Sequence, residues 1–292
     1  MPKVSTKSNK KLSNASAVTP TPYKSPLKWA GGKRRLVSNI VQWLPKKNTG
    51  RFIEPFVGGG SVFINLPFSY YLLVDSNPDL IGLFNALKSN KEEFLALAQP
   101  LFTPEFNQAE QYYSLRKEFN ACDKGLRRWA LFMYLNRHGY NGLCRYNLKG
   151  QYNVPFGKYK RPYFPELEIN RCHQQLQNAH LQSGDFSLAF EQAKPGDIIY
   201  CDPPYFPLGE TASFTAYSGV AFSFDDQQRL ASLAEKAQNE GVTTIISNHH
   251  LPATLSLYQK ANKIVPLKVS RTISCKGSIR KPIKELLAIY KA

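Results

Sequence analysis

The sequence predicts an α/β protein built on an open, mostly parallel sheet, interrupted by a mainly helical, basic insertion. Three observations carry that expectation. Short β-branched and aromatic runs alternate with helical periodicity over residues 36–87 and again over residues 181–290. Two of these runs close on an acid, Asp75 and Asp202, at the strand ends where open α/β sheets hold their ligands. Between them, over residues 88–165, the alternation stops and helical patterns lead into a stretch dense in Lys, Arg and aromatic residues. The expected organisation is therefore a basic tail (1–23), a discontinuous α/β domain (24–87 and 166–292) and a mainly helical, basic insertion (88–165).

At 292 residues, with 42% apolar and 13% aromatic residues, the chain has material for a sizeable core. No apolar run approaches the roughly eighteen residues needed to cross a membrane. The first residues lack the apolar segment of a secretory signal, which points to a cytoplasmic protein. Five cysteines, an odd number without a C-x-x-C pair, argue against a disulfide framework and against a zinc site. The formal net charge of +17 is concentrated. Residues 1–35 and 124–161 each hold nine Lys or Arg and no acid, so the rest of the chain is near neutral. Two such patches fit a polyanionic partner, nucleic acid before membrane.

In chain order, residues 1–23 read as a flexible tail, able to add non-specific DNA affinity or to be inert. Trp29, Ala30, Gly31, Gly32 and Lys33 come next; the glycines allow a close backbone approach, Trp29 offers a flat face and Lys33 a cation able to meet a carboxylate. Leu36, Val37, Ile40, Val41 and Leu44 have helical spacing, ended by Pro45. Residues 51–56 read as the first strand, then Val57-Gly58-Gly59-Gly60 as a turn into a helix starting near Ser61. A strand, a glycine turn and a helix N-terminus make half of a nucleotide-type site. The next strand, 70–74, ends in Asp75, placed to hold ribose hydroxyls or, alternatively, to cap the helix after it. Without G-x-G-x-x-G, a nicotinamide cofactor is disfavoured.

In the insertion, the segment Asn136-Arg137-His138-Gly139-Tyr140-Asn141-Gly142-Leu143-Cys144-Arg145-Tyr146-Asn147 and the chain onward to Arg161 interleave basic residues with aromatics. Cations for phosphates, amides and Arg for base edges, and rings that wedge or stack belong together on a nucleic-acid surface. Trp129 and Phe132 are expected in the core instead.

The sheet pattern resumes near Leu181, passes Ser183-Gly184-Asp185-Phe186, and reaches the buried run Asp197-Ile198-Ile199-Tyr200-Cys201. Asp202-Pro203-Pro204-Tyr205 closes it. Two prolines cannot continue a ladder and stiffen the turn. The Asp202 carboxylate and the Pro203 carbonyl are two acceptors suited to a planar NH₂ group, with Tyr205 able to stack on the ring that bears it; a tight loop whose acid caps a neighbour is the competing reading. Ser223 opens a helix stopped by Gly241, and a strand at 243–247 leads to His249 and His250, which lack a third ligand at zinc-like spacing. Residues 263–270 and 286–290 read as a terminal antiparallel pair joined by a basic loop.

Together, Pro26 to Lys33, the Glu54-Pro55-Phe56-Val57-Gly58-Gly59-Gly60-Ser61 turn, the Asp75 strand end, residues 136–147 and 153–159, and Asp202 to Tyr205 resemble the Dam-type DNA adenine methyltransferases over roughly residues 25–292. The resemblance implies a mostly parallel seven-stranded sheet with one antiparallel strand and helices on both faces. It implies methyl transfer from S-adenosylmethionine, leaving S-adenosylhomocysteine, to the exocyclic amine of adenine in double-stranded DNA by base flipping. No metal is implied, and GATC is the expected target. By position, Trp29, Ala30, Gly31, Lys33, Pro55, Phe56, Gly58, Gly60, Asp75, Asp185, Phe186 and Asp202 would line the cofactor site. Asp202, Pro203, Pro204 and Tyr205 would form the catalytic turn. Tyr140 and Asn141 would fill or support the space left by the flipped base, and Lys28, Arg137, Leu143, Arg145, Pro155 and Tyr159 would contact DNA. The lysine-rich tail and the third glycine of the cofactor turn depart from the compact members. A monomer acting at the nucleoid is expected, with DNA replication, mismatch repair or restriction-modification as its setting.

Overall fold

Seven strands form one sheet in the order β3-β2-β1-β4-β5-β7-β6. They are β1 (Phe52–Glu54), β2 (Tyr71–Asp75), β3 (Ala179–Ser183), β4 (Ile198–Cys201), β5 (Thr243–His249), β6 (Lys263–Val269) and β7 (Ile283–Tyr290). This is a computed structural model, and it describes residues 21–45, 50–205, 222–269 and 283–292. β1 through β5 pair in parallel, whereas β7 runs antiparallel between β5 and β6. The expected terminal antiparallel pair is thus present; the basic loop expected between its strands lies mostly outside the described residues, as do the first twenty residues of the tail and Cys275. Order reverses between β1 and β4, and the two strands leave a crevice at their carboxyl ends.

The central strands are apolar on both faces because both faces are covered. Phe52, Ile53, Leu73, Val74, Ile199, Ile245 and Ile246 are all fully buried. One face packs on the helices of the insertion side, the other on α7 and α8, giving two clusters of buried side chains. The helices are α1 (Val37–Val41), α2 (Pro78–Ser89), α3 (Lys91–Ala98), α4 (Ala109–Ala121), α5 (Leu126–His138), α6 (Glu166–Leu176), α7 (Ser187–Glu191), α8 (Phe224–Asn239) and α9 (Pro252–Leu257). α8 begins with a capping box, Ser223 and Asp226 each bonding the other's backbone N–H.

The glycine turn does not lead into the α-helix expected near Ser61. The chain instead makes a single 3₁₀ turn, Phe63–Asn65. Pro67 explains the difference, since the residue before a proline is pushed out of the helical region, and Leu66 is extended at φ −112°, ψ 139°.

The insertion packs through α5, which sits against α2, α3 and α4. Phe132 is in the core as expected, at 0% exposed, but two aromatics expected on a nucleic-acid surface are core as well: Tyr134 is 0% exposed and Tyr152 1%. Trp129 lies against Gly82, where a Cβ would come within 2.1 Å of the indole nitrogen. The last residues of the expected tail are anchored, with Tyr23 N–H donating to Asn65 Oδ1 at 2.6 Å and Arg34 donating to the Pro22 carbonyl at 3.2 Å.

Candidate active site

The carboxyl ends of β1, β2 and β4 bring together Trp29, Lys33, the Gly58–Gly60 turn, Asp75, Asp202 and Tyr205. The turn at Gly58 is left-handed, at φ +47°, and Trp29 lies so close that a Cβ on Gly58 would meet its Nε1 at 2.8 Å. Gly58 N–H donates to Asp75 Oδ2 at 2.9 Å and Asn77 N–H to Asp75 Oδ1, also at 2.9 Å. Burial raises the Asp75 carboxyl to about 6, opposed by those two donors. The cap of α2 is Asn77, not Asp75: its side-chain oxygen accepts from Asp79 N and Leu80 N.

Asp202 comes directly after β4. Its Oδ1 accepts from Ser247 Oγ at 3.0 Å and pairs with Lys33 Nζ at 2.8 Å. Oδ2 takes no hydrogen bond from the described residues, and neither does the Pro203 carbonyl. Lys33 is buried; its ammonium also donates to the Gly31 carbonyl at 2.6 Å and lies 4.4 Å from the centre of the Tyr205 ring. Lys33 therefore meets a carboxylate of this chain, one that sequence reasoning had not assigned to it. The prolines shape the turn as expected, and the Pro204 carbonyl is pinned by Gln227 Nε2 at 2.9 Å. Tyr205 donates its hydroxyl to Glu285 Oε2 at 3.1 Å and packs edge-on against His249, with centroids 4.8 Å apart. Burial pushes the Tyr205 phenol well above its ordinary range, so it stays a neutral donor. Among the described residues no three of His, Cys, Asp and Glu gather as metal ligands, and no helix is long and apolar enough to cross a membrane.

Beside this cluster Phe56 stacks on Phe186 at 5.2 Å, with Phe222 edge-on to Phe56 at 5.6 Å. Arg229 lies over the Phe186 ring at 4.1 Å and grips both oxygens of Asp185, at 2.7 and 2.9 Å. That guanidinium holds the Asp185 carboxyl down at about 2.

Besides Phe222 and Arg229, four residues around the catalytic and glycine turns escaped sequence reasoning as site residues. Ser247 and Glu285 come from strands adjacent only after folding. Gln227 carried no signal. Glu54 was readable, standing at the end of β1 beside the glycine turn; it is 2% exposed, and its Oε1 has no hydrogen-bond partner. Burial, with the nearby Asp202 charge adding to it, raises the Glu54 carboxyl well above its usual range against one bond to the Phe63 backbone.

The residues expected to touch DNA form two groups. Lys28 Nζ donates to the Arg137 carbonyl at 2.8 Å and sits 3.4 Å over the Tyr159 ring. Arg137 is buried rather than on an open face, stacked on Tyr163 at 4.4 Å with its Nε unpartnered. Burial, then the Arg137 charge, lowers the Lys28 ammonium to about 8. Tyr140 is 44% exposed and Asn141 is exposed with φ +53°; Tyr140 N–H bonds the Pro155 carbonyl at 2.8 Å. Leu143 is half-buried, and Arg145 projects from the hairpin beyond it, which the antiparallel bridge between Tyr146 and Tyr152 closes, and is held by Asn153 Oδ1 at 2.7 Å.

A profile of the D12 class N6 adenine-specific DNA methyltransferases matches residues 29–273. The chain belongs to that family. It is 49% identical over 265 residues to a DNA adenine methylase of Salmonella typhi, covering 91% of this chain and 94% of the relative. The DNA adenine methylase of Escherichia coli K12 is 48% identical with the same two coverages, and that of Vibrio cholerae 47%, at 90% and 95%. A solved structure titled delta-N METTL16 MTase domain overlays 87% of this chain and 81% of its own at a TM-score of 0.34 and 9% identity, a likeness that carries no weight. Membership makes the chain an adenine-specific DNA methyltransferase, as its sequence motifs led us to expect.

Proposed function

We propose that the chain methylates the N6 amine of adenine within GATC, taking the methyl from S-adenosylmethionine and turning the target base out of the duplex. The observation that carries this reading is the division of labour on Asp202. Oδ1 is tied by Ser247 and Lys33, which orients the carboxylate, while Oδ2 and the carbonyl of the next residue, Pro203, take no hydrogen bond from the described residues. An aromatic amine needs two such acceptors. Its lone pair is delocalised into the ring, and bonds from both protons favour a pyramidal nitrogen. Asp202 Oδ2 then accepts the proton that N6 must shed once it is alkylated. Tyr205, its plane set by Glu285 and His249, provides a stacking face that offsets the few kcal/mol of base extrusion.

The pocket fits the cofactor. Glu54 offers a buried oxygen without a partner, suited to an ammonium group, Asp75 an acid at the strand end for ribose hydroxyls, and the mutually packed Phe56, Phe186 and Phe222 an aromatic surface against which the adenine ring would lie. Trp29, Ala30, Gly31, Pro55, Gly58 and Gly60 would line it. When bound, S-adenosylmethionine supplies a sulfonium methyl and departs as neutral S-adenosylhomocysteine, so positioning supplies most of what the protein must add.

Target reading is assigned to the insertion. Lys28 has a carbonyl and an aromatic ring for partners, not an acid, and so suits a phosphate or a guanine edge, with the buried Arg137 behind it supplying positive potential. Tyr140 and Asn141 would occupy the gap left by the extruded base; Leu143, Arg145, Pro155 and Tyr159 would read the site. A monomer acting on nucleoid DNA in the cytoplasm completes the proposal. Transfer of labelled methyl to duplexes with GATC, a one-base variant, or GATC methylated on both strands tests it: label is expected in the first alone, and equal label in the variant would overturn the target assignment.

A further inference from the structure

The hairpin that carries Arg145 is anchored on the segment that carries Asp75. Its side chains alternate as strand side chains do: Arg145 is exposed, whereas Cys144 is buried and Tyr146 half-buried. Each inward residue makes one polar contact with the start of α2. Asn77 Nδ2 donates to Cys144 Sγ at 3.3 Å, and the Tyr146 hydroxyl donates to Asp79 Oδ2 at 2.8 Å. Asn77 is the residue whose backbone N–H holds Asp75 Oδ1, and its side chain caps α2 through Asp79 N at 3.0 Å. Asp79 is fixed in turn by Arg128, through Oδ1 at 2.6 Å and Oδ2 at 3.0 Å. Arg128 also ties down the Phe119 and Cys122 carbonyls at the end of α4, at 2.7 and 2.8 Å. Movement of the hairpin therefore reaches the Asp75 carboxylate through a single intervening residue, Asn77, while Asp79 and Arg128 make the mounting stiff.

We propose that Cys144 and Tyr146 are positioning residues that couple engagement of target DNA by the hairpin to the affinity of the Asp75 pocket for the cofactor. The inference rests on the functional reading above, and the coupling must be reciprocal, because binding free energies at two linked sites change each other by the same factor. Neither residue touches substrate. Their work is to keep Arg145, on the outer side of the hairpin, in register with Asp75.

Calorimetric binding of S-adenosylhomocysteine to the full chain tests this, without DNA and with saturating duplex that contains or lacks GATC. The wild-type protein is expected to bind it at least about fivefold more tightly with the GATC duplex than with the other. Tyr146→Phe and Cys144→Ala are each expected to shrink that factor to less than about twofold, while affinity without DNA shifts less. Cys144→Ser, which keeps an acceptor for Asn77, is expected to restore most of it. Equal wild-type affinity with both duplexes, or variants that keep the full factor, would overturn the proposal. Absence of binding by the wild-type protein under every condition would instead overturn the functional reading on which it stands.

Discussion

Lys33 Nζ stands 2.8 Å from Asp202 Oδ1, inside the crevice between β1 and β4. The lysine side chain is 7% exposed and the aspartate 22%, so the pair is shielded, and losing one partner leaves the other poorly solvated. Lys33→Met is expected to lower kcat by about ten- to a hundredfold, because Asp202 loses one of two ties on Oδ1 and Tyr205 loses the cation over its ring. Steady-state methylation of GATC duplexes measures it; an unchanged kcat would remove Lys33 from the positioning of Asp202.

Asp75 gives the site a pH dependence. Its carboxyl is raised to about 6, against an ordinary value of 3.8, so between these it is protonated in the folded protein and ionised in the unfolded chain. The folded state binds the extra proton, and the Asp75 contribution to stability therefore falls as pH rises through that window. Cofactor binding runs the other way, since the ionised form is the better acceptor for ribose hydroxyls. S-adenosylhomocysteine affinity is expected to weaken on the order of tenfold per pH unit below about 6, and Asp75→Asn to flatten that slope. Titration calorimetry at pH 5, 6 and 7 decides it.

Arg229 holds Asp185 and covers Phe186, yet lies away from Asp202. Arg229→Ala is expected to raise the KM for S-adenosylmethionine several-fold with kcat little changed, the pattern of lost ground-state binding. The Asp185 carboxyl should return from about 2 towards its usual value, which NMR titration of the side chain would register.

Arg128 is structural. It joins Asp79, 4% exposed, to the carbonyls that close α4. Breaking a buried, hydrogen-bonded pair from one side costs about 3–5 kcal/mol, and Arg128→Met should lower urea-unfolding stability by that order. A loss under 1 kcal/mol would show that Asp79 finds other partners.

Much of this architecture was legible in the chain because each strand is short, apolar and closed by a recognisable turn. The glycine turn, the Asp75 strand end and the Pro203-Pro204 stop each announce a boundary through local chemistry. The segment after Gly60 misled because Pro67 acts on Leu66 before an α-helix can form. The insertion misled for a different reason: aromatic residues between cations look alike whether they face DNA or the core, and Tyr134 and Tyr152 face the core. Ser247 and Glu285 were illegible as partners of the catalytic turn, since they approach it on strands distant in sequence, and Gln227 because it reaches the turn from α8. Glu54 needed only its strand end to be read, but its unpartnered oxygen appears only on folding.

The central claim is that Asp202 is the acceptor that readies adenine N6, and Asp202→Asn tests it most directly. The measurement pairs methyl transfer with the fluorescence of 2-aminopurine placed at the target adenine of a GATC duplex. The variant is expected to lose transfer by at least a factor on the order of 10²–10³, while duplex affinity and the fluorescence rise that reports an extruded base persist. Transfer retained at the wild-type rate would contradict the role given to that carboxylate.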